Sequence, residues 1–204
     1  PAAASSFRSA DPSRIEQIKG GPATGRPFSL GDIPPEWLGF GHMTFADPIV
    51  ARIVPFLEAI GIPVAVEPVP GGSLLPGATV RNGTLIFDPD TLEWPGDLLH
   101  EAGHIAVSDP ATRAVQTGIP HDQAEEMAAM AWSYAAAIAL EIDPIHVFHA
   151  GGYHGGGRNY LESYRNGGTG IGVPMLQYFG MSAEPRQAAA FGRSPFPAMV
   201  RWVR

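Results

Sequence analysis

The residues with the clearest chemical meaning are two histidines and a glutamate in the segment His100-Glu101-Ala102-Gly103-His104. On a helix, His100 and His104 lie one turn apart, so both imidazoles share a face and can bind one metal ion. Glu101 lies beside them at a different angle, where its carboxylate can reach a water bound to the metal. This arrangement predicts zinc-assisted hydrolysis: the ion acidifies the water, and Glu101 accepts its proton as the general base.

A catalytic Zn²⁺ also needs a third protein ligand and one open position. The chain has no cysteine, and Val107 and Pro110 occupy the positions where the longer HExxHxxGxxH pattern needs a glycine and a third histidine. Glu125 and Glu126 are the remaining candidates. Glu126 is the preferred ligand, because Asp122 and Glu125 can form a capping box at a helix start. Glu125 is the alternative ligand, and a purely structural role of both acids near the helix dipole also stays open.

Two predicted helices position these groups. The first begins between Thr91 and Asp97 and ends at about Val107; the second runs from about Asp122 to Glu141 and is rich in alanine. Gly103 costs the first helix about 1 kcal/mol relative to alanine, which indicates that another backbone approaches closely there. The small residues of the second helix would allow that approach.

The residues before this pair predict the rest of an α+β fold. Asp47 and Pro48 begin a helix that Gly61 ends, with Pro55 producing a kink or an earlier boundary. Three strand-like runs follow, the last two joined by Asn82-Gly83, a strong hairpin signal. They are Val64 to Val69, Ala78 to Arg81 and Thr84 to Phe87. The prediction is a small, mostly antiparallel three-stranded sheet packed on the two helices.

The HExxH segment, followed by an acidic pair that opens an alanine-rich helix, resembles the zincin metallopeptidases, specifically their gluzincin branch. Over residues 47–141, the predicted order of elements resembles the compact ImmA/IrrE-type domain. The resemblance implies that the two histidines bind zinc, that Glu101 is the general base and that a glutamate of the second helix is the third ligand. It also implies that the Thr84 to Phe87 strand lies at the sheet edge beside the cleft, where an extended peptide can pair with it.

Two features depart from the gluzincin pattern. Members of that branch often carry an acid four residues after the ligand glutamate, but Ala129 and Met130 occupy the corresponding positions here. From about Asp143 onward, the chain resembles no family. The leading hypothesis is a zinc-dependent hydrolase, specifically a metallopeptidase acting on a peptide or protein. The alternative is a non-catalytic metal-binding or regulatory module with a plugged zincin-like site.

A glycine-rich segment at residues 146–157 contains the candidates for the remaining catalytic role. Hydrolysis needs a donor to the oxyanion that develops on the attacked carbonyl. His149 and Tyr153 are the preferred donors among the polar residues there, which also include His146 and His154. A glycine-rich turn with exposed histidines is the alternative interpretation. Asp97 is interpreted either as a helix N-cap or as an acid that orients His100.

The same patterns divide the chain into three parts. Residues 1–44 are predicted to form a Pro/Gly-rich N-terminal arm, residues 45–142 the zincin-like metal-binding core, and residues 143–204 a glycine-rich extension packed on that core. Short helices are expected near Arg158 to Tyr164 and around Glu184 to Phe191.

Composition excludes several classes of function. The 204 residues include 13 Lys and Arg against 20 Asp and Glu, for a formal charge of −7. This balance argues against nucleic acid and an anionic membrane as partners. The longest uncharged apolar stretch, Met127 to Leu140, is too short to span a bilayer, and no signal-peptide pattern is visible, so we expect a cytoplasmic protein. The low charged fraction of 16%, together with 25 Gly and 21 Pro, would suit either long ordered loops on a compact core or a homo-oligomer that hides part of its surface.

Overall fold

The computed structural model describes residues 45–70, 75–118, 122–165 and 170–204. The predicted arm at residues 1–44 therefore lies outside the described residues. The α+β class is confirmed, since a three-stranded sheet packs against helices. The elements are α1 (Val50–Ala59), β1 (Val64–Val66), β2 (Ala78–Arg81), β3 (Thr84–Phe87), α2 (Asp97–Val107), α3 (Gln123–Ala139), α4 (Gly157–Arg165) and α5 (Val173–Tyr178). Single 3-10 turns occur at Arg113–Val115, Pro144–His146, Tyr153–Gly155 and Ala188–Phe191.

Helix α1 begins and ends where the sequence predicts. The Asp47 carboxylate accepts hydrogen bonds from the backbone N–H groups of Ile49, at 2.7 Å, and Val50, at 3.2 Å. The chain turns away at Gly61, whose φ of 87° suits glycine. Pro55 does not impose an early boundary, because the helix continues through it to Ala59. Proline removes one backbone donor there, but the buried face of the helix is retained.

The sheet is mixed, and its strand order is β1-β3-β2. Strands β2 and β3 are antiparallel and joined at Asn82 and Gly83, whose φ angles of 50° and 67° fit the predicted hairpin turn. Strand β1 pairs with β3 in parallel. The expectation that Thr84–Phe87 forms the sheet edge is therefore wrong: β3 is the central strand, and its residues Leu85, Ile86 and Phe87 are all buried, as in a strand covered on both faces.

Helices α2 and α3 pack closely through small residues. All eleven residues of α2 are buried, and so are the alanines in the middle of α3. A Cβ atom added at Gly103 would lie 2.9 Å from the carbonyl oxygen of Ala129 and 3.2 Å from its Cα. The close approach predicted at Gly103 is therefore confirmed, and it brings the first turn of α3 towards the histidines of α2.

Replacing Gly103 with alanine should destabilise the protein, although alanine is the better helix former. Helix propensity favours alanine by about 1 kcal/mol, whereas overpacking in a core costs about 1–3 kcal/mol, so we expect a net loss of up to about 2 kcal/mol. Overpacking should dominate because the obstacle is the backbone of α3. Urea unfolding of the metal-free protein measures the change. Gly103→Val should cost more, and a Gly103→Ala protein more stable than wild type would contradict this packing.

The residues after α3 share one hydrophobic core with those before it. The indole ring of Trp202 packs at 5.0 Å from Phe56 and 5.7 Å from Trp132, and the Trp132 Nε1–H donates to the Trp202 carbonyl at 2.8 Å. The Arg113 guanidinium donates to carbonyl oxygens at the carboxyl end of α2. The domain boundary predicted at residue 142 stays a prediction.

The predicted short helices near the end of the chain are found in part. Helix α4 lies where it was expected, whereas the region from Glu184 forms turns and one 3-10 turn at Ala188–Phe191. Helix α5 was not predicted. Among the helices that the structure describes, none combines the length and apolarity needed to cross a membrane.

Candidate metal centre

Helix α2 brings His100 and His104 together on one face. Their Nε2 atoms lie 3.2 Å apart, and the two rings are nearly perpendicular, at 86°. His104 is completely buried and His100 is only 8% exposed. Polar side chains in such an apolar setting require partners, because burial removes their hydration. Because the two Nε2 atoms lie so close together, a single partner could contact both of them.

Glu126, in the first turn of α3, meets both histidines. Its Oε1 lies 3.4 Å from Nε2 of His100, and its Oε2 lies 3.2 Å from Nε2 of His104. One ligand atom from each residue falls within 4.8 Å of the others, so this group could hold a metal ion. The predicted convergence of the two imidazoles with a carboxylate from the next helix is confirmed.

The electrostatic environment favours the ligand forms of these side chains. Burial, with a contribution from nearby His104, lowers the pKa of His100 to about 4. The hydrogen bond with His104 lowers the pKa of the Glu126 carboxyl below its ordinary value. A neutral imidazole and an ionised carboxylate are the protonation states that bind metals. The residues therefore fit a metal ion in both geometry and charge.

Glu125 occupies a different position from Glu126. Burial raises the pKa of the Glu125 carboxyl, and its Oε1 is buried with no hydrogen-bond partner among the described residues. Asp122 caps α3, accepting the Ala124 N–H at 2.8 Å, so only the Asp122 half of the predicted capping box is found in the described part of the chain. The converging group contains Glu126 and not Glu125.

A matched pair of variants tests which glutamate binds the metal. Glu126→Gln should weaken zinc binding by more than about 100-fold, beyond the roughly 10–100-fold cost of substitutions outside the ligand shell. Glu125→Gln should stay within about 10-fold of wild type, since it leaves all three ligands in place. Competition with a chromophoric chelator measures both affinities. The reverse ranking would contradict the assignment of Glu126.

Glu101 is a buried carboxyl beside the candidate ligands. It is 1% exposed, and its Oε1 has no hydrogen-bond partner among the described residues. Burial raises the pKa of Glu101 to about 7. Buried polar atoms are nearly always hydrogen-bonded in folded proteins, so an unpartnered carboxylate oxygen calls for an explanation. It fits a carboxylate whose hydrogen-bond partner is a molecule bound at the site.

Tyr153 lies against one of the metal-ligand candidates. Its hydroxyl is 3.1 Å from Nδ1 of His100, and its ring packs edge-on against that imidazole with the centroids 5.5 Å apart. Burial raises the pKa of Tyr153 well above its ordinary value, so the phenol is neutral. The structure therefore brings Tyr153 to the centre, but in contact with the ring nitrogen of His100 that does not face Glu126.

His149 pairs with Asp97 instead of meeting the ligands. Its Nε2 lies 2.8 Å from Oδ1 of Asp97, and its ring stacks on Trp94 at 4.2 Å with an interplanar angle of 8°. Both interpretations of Asp97 from the sequence are replaced by this contact, since the residue before α2 is Gly96 and the Asp97 carboxylate bonds His149. His149 Nδ1 is buried without a hydrogen-bond partner in the described residues. Burial raises the pKa of Asp97.

Several of these contacts had no signal in the sequence. Residues 97 and 149 are 52 positions apart, and Trp94 belongs to no motif, so spacing could not have paired them. His146 is exposed in its 3-10 turn, whereas His149 is buried, so the alternative interpretation of a turn with exposed histidines fits His146 and not His149. The side chain of His154 lies outside the described part of the structure.

Comparisons with protein-family models, with curated proteins and with solved structures gave no match to this chain. The resemblance to zincins therefore rests on the HExxH segment and on the converging His/His/Glu group.

Proposed function

We propose that this protein is a zinc-dependent hydrolase that cleaves peptide bonds in a peptide or protein substrate. The proposal rests chiefly on the convergence of two buried imidazole nitrogens with one carboxylate. Two histidines and a glutamate are a ligand set of catalytic zinc sites, which keep a further position open. The Glu126 side chain is 39% exposed, which supports access of water and substrate from that side.

The other residues supply proton transfer. Zinc, when bound, provides Lewis-acid activation of a water molecule. Glu101 would serve as the general base, accepting a proton from the attacking water at a carboxylate oxygen and delivering it to the leaving amine. Its unpartnered, buried Oε1 supports this role, because a general base needs a lone pair that no other protein group occupies. The oxyanion donor expected from the sequence, His149 or Tyr153, stays a prediction, since His149 bonds Asp97 through Nε2 and Tyr153 contacts Nδ1 of His100.

A metal-binding module without catalysis is the second candidate, and one observation favours it. Nδ1 of His104 is buried with no hydrogen-bond partner among the described residues, and Ala129 and Met130 supply no acid to orient it. Ligand histidines of metalloenzymes almost always donate this second N–H, and its partner raises the ligand's basicity. Such a partner supports metal affinity as well as activity, so its absence at His104 favours a site that is less activated than a catalytic one.

Metal analysis and an activity assay on the full chain separate these candidates. We expect about one zinc ion per chain and cleavage of fluorescein-labelled casein that 1,10-phenanthroline abolishes. Bound zinc without cleavage of casein or of a mixed peptide library would favour the non-catalytic module. Absence of bound metal after zinc addition, or iron in place of zinc, would overturn the proposal.

A further inference from the structure

We propose that Tyr153 is a positioning residue for the metal centre, because its hydroxyl holds the imidazole of His100 through Nδ1. This inference rests on the proposed zinc site. The two heavy atoms are 3.1 Å apart, while Nε2 of the same ring faces Glu126 at 3.4 Å. The two ring nitrogens of His100 therefore have different partners, which lie at opposite edges of the imidazole.

The chemistry of the imidazole fixes the direction of this hydrogen bond. A histidine that gives its Nε2 lone pair to a metal carries its proton on Nδ1. Nδ1–H then donates to the Tyr153 oxygen, which acts as the acceptor. The phenol oxygen, 3.1 Å away, carries lone pairs that can accept this bond. With a metal on Nε2, the Tyr153 oxygen therefore accepts from Nδ1–H and holds the ring in the orientation that directs Nε2 to the metal.

The backbone of Tyr153 indicates that its placement is imposed by the surroundings. Its φ is 53°, a left-handed conformation that costs a bulky residue on the order of 1–3 kcal/mol and persists only where packing determines it. The ring stacks on Phe148 at 5.4 Å and packs edge-on against Tyr160 at 5.6 Å. Together with the contact to His100, these rings fix the direction of the hydroxyl.

The segment that carries Tyr153 is attached to the start of α2 at three places. A Cβ atom at Gly96 would lie 2.1 Å from the carbonyl oxygen of His146, so the two backbones touch there. One residue further along α2, Asp97 bonds His149, and one turn later His100 contacts Tyr153. These attachments involve protein groups alone, so the fold delivers the hydroxyl to Nδ1 before any metal binds.

The test compares two tyrosine-to-phenylalanine variants of the full chain, with zinc as the probe. Tyr153→Phe keeps the stacked ring and removes only the hydroxyl. Tyr160→Phe is the matched control, since the Tyr160 ring packs edge-on against Tyr153 and, among the described ring contacts, not against His100. Chelator competition should show zinc affinity about 10–100-fold weaker in Tyr153→Phe and unchanged in Tyr160→Phe. Thermal unfolding of the metal-free proteins checks that each variant folds.

A spectroscopic signature separates positioning from packing. In zinc-loaded wild type, the His100 Nδ1–H proton should be visible by NMR of ¹⁵N-histidine-labelled protein, because a buried hydrogen bond protects it from exchange. It should broaden or disappear in Tyr153→Phe. Equal zinc affinity and an unchanged signal in Tyr153→Phe would overturn the inference, and so would equal weakening in both variants. Failure of wild type itself to bind zinc would overturn the proposed function instead.

Discussion

Glu101→Gln should slow hydrolysis by about 10²–10⁴-fold, the usual contribution of general acid–base catalysis, while one zinc ion stays bound. Glutamine has nearly the same shape as glutamate, but its amide cannot accept a proton from water. The three ligand atoms are left in place, since Glu101 is not part of the converging group. Casein cleavage and metal analysis on the same preparation measure the two effects.

A remote glutamate provides the control for Glu101. Glu162 is exposed on α4, and Glu162→Gln should cleave casein at the wild-type rate. A Glu101→Gln protein that is as active as wild type would contradict the role of general base. Loss of zinc from Glu101→Gln would contradict it as well, since that result would make Glu101 part of the metal-binding group.

His104→Ala should abolish both zinc binding and hydrolysis. Nε2 of His104 lies 3.2 Å from Nε2 of His100 and 3.2 Å from the Glu126 carboxylate, so the substitution removes one of the three converging ligands. Two remaining ligands cannot complete a catalytic zinc site, which uses three. We expect zinc affinity to fall by well over the roughly 10–100-fold that substitutions of residues next to the ligands cost, and casein cleavage to fall to background.

The stability of the His104 variant must be measured separately, because this side chain is fully buried. Urea unfolding without zinc measures how much free energy of unfolding is lost to the cavity left by the imidazole. Added zinc should raise the free energy of unfolding of wild type but not that of His104→Ala. His146→Ala, at an exposed histidine, is the control and should keep both zinc and activity. A folded His104→Ala protein that binds zinc as tightly as wild type would remove the basis of the metal site.

The local parts of this architecture could be predicted because short-range geometry fixes them. The α-helix repeat places residues four apart on one face, so His100 and His104 were expected to meet before any fold was known. The hairpin at Asn82-Gly83 and the cap at Asp47 likewise depend only on neighbouring residues, and both are found. Gly103 correctly indicated close helix packing, because a glycine in the middle of a helix is unfavourable unless another element packs closely against it.

The sequence by itself determined the ligand-bearing helix, its general-base candidate and the α+β class. Only the tertiary structure decided that Glu126 and not Glu125 meets the histidines, that β3 is central, and that Tyr153 reaches His100 across 53 positions of chain. Adjacent helix residues differ by a rotation about the helix axis, and the packing of α3 on α2 selects between them. Periodicity in the sequence predicts which face of each helix or strand is buried. The contacts between distant elements depend on how buried side chains fit together in three dimensions.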